Sequence, residues 1–100
     1  MIKHIVMFKL KEANGRSEYE NALEAKERFN KVLENVRKLK KGKVVINSAD
    51  APKSNYTLAL ICDFENIDDL NAYQVHPVHK EFGGFIAEIK TDRACIDYEY

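Results

Sequence analysis

The alternation of apolar and polar positions predicts three strands. It runs from Ile2 to Leu10, from Tyr56 to Phe64 and from Ala94 to Tyr100. A short β-branched run at Val44 to Asn47 predicts a fourth strand. With the helices described next, the order is strand, helix, strand, strand, helix, strand. This is the split βαβ order of a ferredoxin-like α+β domain with a four-stranded antiparallel sheet.

The first helix is predicted to begin at Ser17, because Ser17 and Glu20 have the spacing of a capping box. Apolar residues then recur at three- and four-residue spacing from Tyr19 to Leu39, which is typical of a helix that buries one stripe. Lysines followed by Gly42 predict that this helix ends near position 41, since cations suit the negative end of the helix dipole.

The second helical region contains a proline that divides it. Asn66 is predicted to cap a helix that stops near Pro77. A short turn at His79–Phe82, the pair Gly83-Gly84 and a separate helical piece at Phe85–Ile89 are expected to follow.

Neither face of the predicted sheet is fully polar. On the first strand Ile5 and Met7 alternate with Val6 and Phe8, so both faces carry apolar side chains at the strand centre. The helices of such a fold cover one face only, and the other face needs an apolar partner. A second copy of the same sheet is the simplest one, because a two-fold interface pairs a surface with itself. The sequence therefore predicts a homodimer whose two sheets face each other.

Length, charge and cysteine spacing exclude several classes of protein. One hundred residues with 45% hydrophobic content predict one domain, residues 1–100. The 16 basic and 16 acidic residues give zero net charge, so no overall field attracts nucleic acid or an anionic membrane. Cys62 and Cys95 lack CxxC spacing, and no signal peptide or membrane span is apparent. We therefore expect a cytoplasmic protein without nucleic-acid or membrane partners.

A tyrosine and two histidines, Tyr73, His76 and His79, fall within seven residues. An imidazole titrates near neutral pH, and a tyrosine hydroxyl can donate a hydrogen bond beside it. This combination suits proton removal next to a carbonyl, with His79 as base and Tyr73 as donor to the enolate oxygen. His4, on another strand, would hold the imidazole or the substrate. For His76, which precedes a proline, capping of backbone groups is the main expectation.

The chain resembles the stress-responsive dimeric α/β-barrel (Dabb) family over essentially its whole length. Three stretches carry the resemblance: MIKHIVMFKLK, YTLALICDFENIDDLNAYQVHPVHKEF and RACIDYEY. The resemblance implies a homodimer of ferredoxin-like subunits that form a barrel, and most bacterial members have no settled activity. Members with known chemistry resemble cofactor-free polyketide cyclases of the olivetolic acid cyclase type, which use a tyrosine and a histidine for an aldol closure. By motif, this pair falls on Tyr73 and His79, and His4 matches a pocket-lining histidine.

The third strand departs from the cyclase pattern. Where the cyclase carries a histidine in its YTH element, this chain has Tyr56-Thr57-Leu58. The change argues against the plant polyketide as substrate more than against the site. We expect His4, His76, Phe8 and Leu58 to contact a small apolar or polyketide-like ligand, with no cofactor.

Metal binding is one alternative. The histidines His4, His76 and His79 supply imidazole nitrogen, and Asp63 or Glu81 would add oxygen. No HxH or HExxH spacing enforces a tetrahedral arrangement, so no metal is expected.

A non-catalytic dimeric binding or stress-protection module is another alternative. In that case the large side chains Phe8, Tyr56, Phe82 and Phe85 would fill the space near Tyr73 and leave no cavity. The monooxygenases of the same barrel superfamily are the most distant hypothesis, because no residue pattern here selects oxygen chemistry.

Overall fold

Four strands and three helices make up the computed structural model, which describes residues 1–100. The strands are β1 (Ile2–Leu10), β2 (Lys41–Ile46), β3 (Leu58–Phe64) and β4 (Lys90–Glu99), and the helices are α1 (Glu18–Asn35), α2 (Ile67–Val75) and α3 (Pro77–Ile89). The sheet has the order β2-β3-β1-β4, and every neighbouring pair is antiparallel. The predicted ferredoxin-like α+β class is confirmed. None of the helices has the length and apolar character that a membrane span requires.

Helix α1 begins where the capping box predicts. The Glu20 N–H donates to Ser17 Oγ at 3.1 Å, and the Ser17 N–H donates to Glu20 Oε1 at 2.9 Å. The Asn14-Gly15 turn before it has positive φ at both residues, 57° and 75°, which Asn and Gly tolerate best.

The predicted end of α1 near position 41 is wrong. The helix ends at Asn35, and Val36 is already extended. The N–H of Lys40 donates to the carbonyl of Asp63 at 3.0 Å, and β2 starts at Lys41, three residues before the predicted start. Pairing with β3 therefore outweighs the helix propensity of the lysine-rich segment.

Helix α3 is one continuous helix, so the predicted interruption at Gly83-Gly84 is also wrong. Each glycine inside a helix costs about 1 kcal/mol relative to alanine. Burial of the apolar stripe of α3, formed by Phe82, Phe85, Ile86 and Ile89, outweighs this cost.

The core lies between the helices and one face of the sheet. Twenty-one buried apolar residues form one cluster there, in which the rings of Phe29 and Phe82 meet edge to face at 5.2 Å. One imidazole, that of His4 on β1, is buried on the same face with 3% of its surface exposed.

The opposite face of the sheet, here called the outer face, is apolar at its centre. Ile5 of β1 lies opposite Ile96 of β4, and Ile61 lies on the other side of Ile5. The Ile96 side chain is 60% exposed, and Met7, Val45 and Tyr98 are exposed as well. The expectation of an apolar second face agrees with the structure.

Candidate active site

The break between α2 and α3 is built from two caps. Asn66 caps α2, since the Asp69 N–H donates to Asn66 Oδ1 at 2.8 Å. His76 caps α3, because the Val78 N–H donates to His76 Nδ1 at 3.1 Å and Pro77 occupies the first helical position. His76 is therefore used to hold the corner that presents Tyr73 and His79.

Tyr73 packs between the two other histidines. Its ring centre lies 4.3 Å from that of His79 and 6.1 Å from that of His4. Phe64 contacts it from β3 at 4.9 Å. The side chain of Tyr73 is fully buried. The sheet and the corner of α2 and α3 thus bring together three residues that are up to 75 positions apart in the sequence.

The Tyr73 hydroxyl is buried without a hydrogen-bond partner. The thiol of Cys62 is close enough to affect the pKa of this hydroxyl, but thiol and hydroxyl do not form a hydrogen bond. Burial raises the pKa of Tyr73 far above its usual value, and the nearby Cys62 adds to this. Burial also raises the pKa of the Cys62 thiol to about 12. Both groups therefore keep their protons at neutral pH.

His79 has one ring nitrogen engaged and one unengaged. Its Nδ1 lies 3.1 Å from the carbonyl oxygen of Gln74, which only accepts, so Nδ1 carries the proton. The neutral ring then has its lone pair on Nε2. Burial lowers the pKa of His79, partly opposed by the Gln74 hydrogen bond, and Arg93 lowers it further. A neutral imidazole with an open lone pair can act as a base near pH 7.

Asp97 is a partner of His4 that the sequence patterns did not reveal. The two residues lie opposite each other on β1 and β4, and His4 Nδ1–H donates to Asp97 Oδ1 at 2.5 Å. The Sγ atom of Cys95, on the same face of β4, lies 3.6 Å from the same nitrogen. Cys95 and Asp97 share this face because they are two residues apart on one strand. The pairing of β4 with β1, which is a property of the whole sheet, determines that this side meets His4.

A cavity of about 130 Å³ opens beside these rings. His4, His79, Phe8 and Phe82 line it, together with two cations that have no carboxylate partner, Lys90 and Arg93. Three of the predicted site residues, Tyr73, His76 and Leu58, are not part of its wall.

These three residues have different structural roles. Tyr73 stands behind the two imidazoles, His76 caps α3, and Leu58 is buried on β3 opposite Phe8. The structure therefore brings His4, Phe8 and His79 to one cavity with Tyr73 in contact behind it, and leaves Leu58 and His76 outside.

The cavity is open, although the non-catalytic alternative expected four large side chains to fill it: Phe8, Tyr56, Phe82 and Phe85. Phe85 packs against the guanidinium of Arg28, 3.9 Å from its ring centre, and Tyr56 donates from its hydroxyl to Asp92 at 3.2 Å. Both lie outside the cavity wall, which includes only Phe8 and Phe82 from that group.

The metal-ligand set considered from the sequence is not assembled. Asp63 accepts from the Tyr100 hydroxyl at 2.5 Å and pairs with Lys3 at 3.2 Å on the outer face. Glu81 pairs with Lys31 at 3.1 Å on the helical side. Neither carboxylate approaches the histidines.

A larger cleft of about 300 Å³ lies elsewhere, between the start of α1 and the loop after β2. The buried Thr57 hydroxyl donates to the half-exposed Glu18 carboxylate at 2.6 Å and accepts from the Leu10 N–H at 2.9 Å. The hydrogen bond from Thr57 and, after it, the hydrogen bond and charge of Lys9 lower the pKa of Glu18. Because its pKa is lowered, Glu18 is a weaker base than an ordinary carboxylate, and no histidine lines this cleft. The smaller cavity, which two histidines line, is the better candidate site.

The family profile of the stress responsive A/B barrel domain, Dabb, matches residues 2–100 of this chain. The chain belongs to the Dabb family. Among curated proteins, none matches it.

Solved structures agree with this family and with its fold. A dimeric ferredoxin-like protein of unknown function from Bacteroides fragilis is 34% identical, with a TM-score of 0.84 over 99% of this Dabb chain and 95% of that one. A dimeric ferredoxin-like protein of unknown function from Thermobifida fusca is 23% identical, with a TM-score of 0.83 over 99% and 90%. A Dabb family protein from Mesorhizobium loti is 22% identical, with a TM-score of 0.77 over 99% and 95%.

Proposed function

We propose that this Dabb protein moves a proton at the carbon next to a carbonyl of a small substrate, with His79 as base and no cofactor. The observation that carries the proposal is the state of His79 in the cavity wall. Its Nδ1–H is held by the Gln74 carbonyl at 3.1 Å, and its Nε2 is left with an open lone pair. Because burial lowers its pKa, the ring is neutral and ready to accept a proton near pH 7.

Tyr73 is proposed as the donor to the enolate oxygen that forms when the proton leaves. A buried hydroxyl without a partner is costly, so it gains a full hydrogen bond when a substrate oxygen reaches it. Since Tyr73 lies behind the His4 and His79 rings, this contact requires the substrate oxygen to reach past these rings while Gln74 still holds His79. The pair Tyr73 and His79 would then act together.

His4 and Asp97 are proposed as positioning residues. The carboxylate of Asp97 accepts from Nδ1 of His4, so it fixes the ring orientation and the tautomer. Nε2 of His4 is then the nitrogen available to orient the substrate or His79. Phe8 supplies an apolar wall.

The size and charge of the cavity favour a small substrate that carries or develops negative charge. Its volume of about 130 Å³ is below the roughly 300–1,000 Å³ of drug-sized pockets. A long linear polyketide would not fit without rearrangement. Lys90 and Arg93, which have no carboxylate partner, would stabilise an enolate or a carboxylate.

We propose further that the chain is a homodimer through its outer face. The apolar centre around Ile5, Ile61 and Ile96 is the kind of surface that a soluble monomer rarely leaves exposed. The relatives from Bacteroides fragilis and Thermobifida fusca are described as dimeric. Two such sheets facing each other would complete the α/β barrel.

A non-catalytic dimeric binding or stress-protection module is the second candidate function. It is favoured by one observation, the absence of Tyr73 from the cavity wall. In this case a small ligand would bind beside His79 and leave unchanged.

Proton–deuterium exchange at the acidic carbon of small 3-oxo acids and esters, followed by NMR, tests these two functions. We expect exchange with the wild-type protein and a loss of about 100-fold or more in His79→Ala and in Tyr73→Phe. Tyr19→Phe, at an exposed position of α1, is the matched control and should exchange normally. Unchanged exchange in both folded site variants would remove His79 and Tyr73 as catalysts. Binding of a probe without any exchange would favour the non-catalytic module.

A further inference from the structure

Three different donor atoms converge where β1 meets β4. The Cys95 Sγ lies 3.6 Å from His4 Nδ1 and 3.7 Å from Asp97 Oδ1, and the nitrogen and the oxygen are 2.5 Å apart. Their residues occupy consecutive positions on the same face of adjacent strands, because His4 pairs with Asp97 and Val6 pairs with Cys95. The backbone of the sheet therefore holds the three donors in place.

The spacing fits a tetrahedral metal centre. With bonds of about 2.3 Å to sulfur and about 2.0 Å to nitrogen or oxygen, a zinc ion separates sulfur from the other ligands by about 3.5 Å. The two sulfur distances here, 3.6 and 3.7 Å, are close to this value. The nitrogen–oxygen pair would open from its hydrogen-bonded 2.5 Å to about 3.3 Å.

We propose that His4, Cys95 and Asp97 form a binding site for a thiophilic divalent cation, for which zinc is the best match. One imidazole, one thiolate and one carboxylate are the ligands that zinc accepts together, whereas magnesium and calcium prefer oxygen alone. His4 is buried, but Cys95 and Asp97 are both exposed on β4, so an ion can enter from the solvent side. The fourth position is left for water.

Occupation of this site would change the neighbouring cavity. Neutral His4 would bind the ion through the Nδ1 lone pair, so its ring proton would move to Nε2, and the Cys95 thiol would release its proton to solvent. The His4–Asp97 hydrogen bond would be replaced by two metal bonds. His4 would lose the carboxylate partner that now orients it. The cation would therefore act as a reversible inhibitor of any chemistry in the cavity. The site itself rests on ligand geometry and does not depend on the proposed function.

The positive charge of Arg93 opposes the ion. It lies two residues before Cys95 on the same strand and lines the adjacent cavity. Arg93→Gln should therefore bind the cation more tightly than the wild-type protein, whereas a change that only disturbs the fold would weaken binding.

The test is a titration of the reduced, metal-free protein with Zn²⁺ by calorimetry and with Co²⁺ by absorption. We expect one ion per chain and a sulfur-to-cobalt charge-transfer band. Cys95→Ser should remove the band and weaken zinc binding about tenfold or more. Glu99→Gln, which changes a carboxylate on the same face of β4, is the matched control and should keep both signals.

Two results would overturn the proposal. One is a wild-type stoichiometry far below one ion per chain. The other is equal binding by wild type and Cys95→Ser, which would mean that the ion binds elsewhere. Cys95 is exposed, so its change to serine leaves the core intact, and this variant keeps the test valid even if Asp97→Asn or His4→Ala fails to fold.

Discussion

The ring of His79 packs 4.3 Å, centre to centre, from the fully buried ring of Tyr73. One member of this pair lines the cavity and the other belongs to the hydrophobic core. The candidate chemistry and the packing of the Dabb domain therefore share a residue, and a change at Tyr73 should affect both in opposite directions.

Tyr73→Phe should raise stability while it lowers exchange activity. The hydroxyl is buried without a hydrogen-bond partner, and an unsatisfied buried polar group costs about 1–3 kcal/mol. We expect a gain of about 1 kcal/mol in the free energy of unfolding, measured by urea denaturation. Tyr19→Phe, on an exposed site, should be neutral. A loss of stability in Tyr73→Phe would mean that the hydroxyl is satisfied in solution.

His79 should titrate below the ordinary histidine value of about 6.5, because burial disfavours its charged form. Its pKa can be followed by NMR of the ring protons. Arg93→Gln should raise this pKa, since it removes a positive charge that lowers it. Lys26→Gln, on an exposed position of α1, is the control and should leave it unchanged. A His79 pKa at or above 6.5 in the wild type would contradict the prediction.

The same shift predicts how stability depends on pH. Because the folded-state pKa of His79 is lower than the unfolded one, the unfolded chain binds more protons between the two values. The contribution of His79 is therefore fully present above about pH 6.5 and is lost as the pH falls through this window. Denaturation at a series of pH values should show a smaller loss in His79→Gln than in wild type. Equal slopes in the two proteins would count against this linkage.

The outer face can be tested by charge. Ile96→Lys places a cation at its apolar centre, opposite Ile5, and should give a folded monomer of 11.6 kDa instead of a particle of twice that mass. Light scattering measures the mass, and circular dichroism checks the fold. Leu23→Lys, at an exposed position of α1, should remain dimeric. A wild-type protein that is monomeric at micromolar concentration would refute the dimer.

Alanine substitutions at the two glycines of α3 distinguish an effect on stability from an effect on ligand binding. A Cβ added at Gly83 or at Gly84 meets nothing within 4 Å, so alanine at either position should stabilise the helix by about 1 kcal/mol. Only Gly83 lines the cavity, and only Gly83→Ala should weaken binding of a small ligand. Thermal unfolding and ligand titration of both variants check this. Equal effects on binding would place the ligand elsewhere.

Gly42→Ala should destabilise, in contrast to the glycines of α3. The added Cβ would come within 2.9 Å of Leu33 Cδ2, closer than real contacts allow. The end of the Leu33 side chain must shift, and because this side chain is flexible and 37% exposed, we expect a loss of no more than about 1 kcal/mol in the free energy of unfolding. A neutral effect would show that α1 and β2 repack without strain.

The sequence predicted those features that depend on a few neighbouring residues. The capping box at Ser17 and Glu20, the break at Pro77 and the cap at Asn66 are formed by contacts within about four positions, and all appear where predicted. The order of strands and helices predicted the ferredoxin-like class. The strands in that order could be recognised because alternation depends only on the two-residue period of a strand.

Several element boundaries were missed because distant partners decide them, among them the start of β4, which lies at Lys90 and not at the predicted Ala94. The segment after Asn35 leaves the helix to pair with β3, and α3 continues through Gly83-Gly84 because its apolar stripe is buried against the core. No local signal reports either contact.

The site divides in the same way. The sequence by itself determined that Tyr73 and His79 lie near each other, because both belong to one short segment around a proline. Only the tertiary structure decided that Asp97 holds His4, that Cys95 stands beside them, and that Tyr73 lies behind the cavity wall. These relations depend on which strands pair and in which register, and sheet register is set by the burial of the whole face.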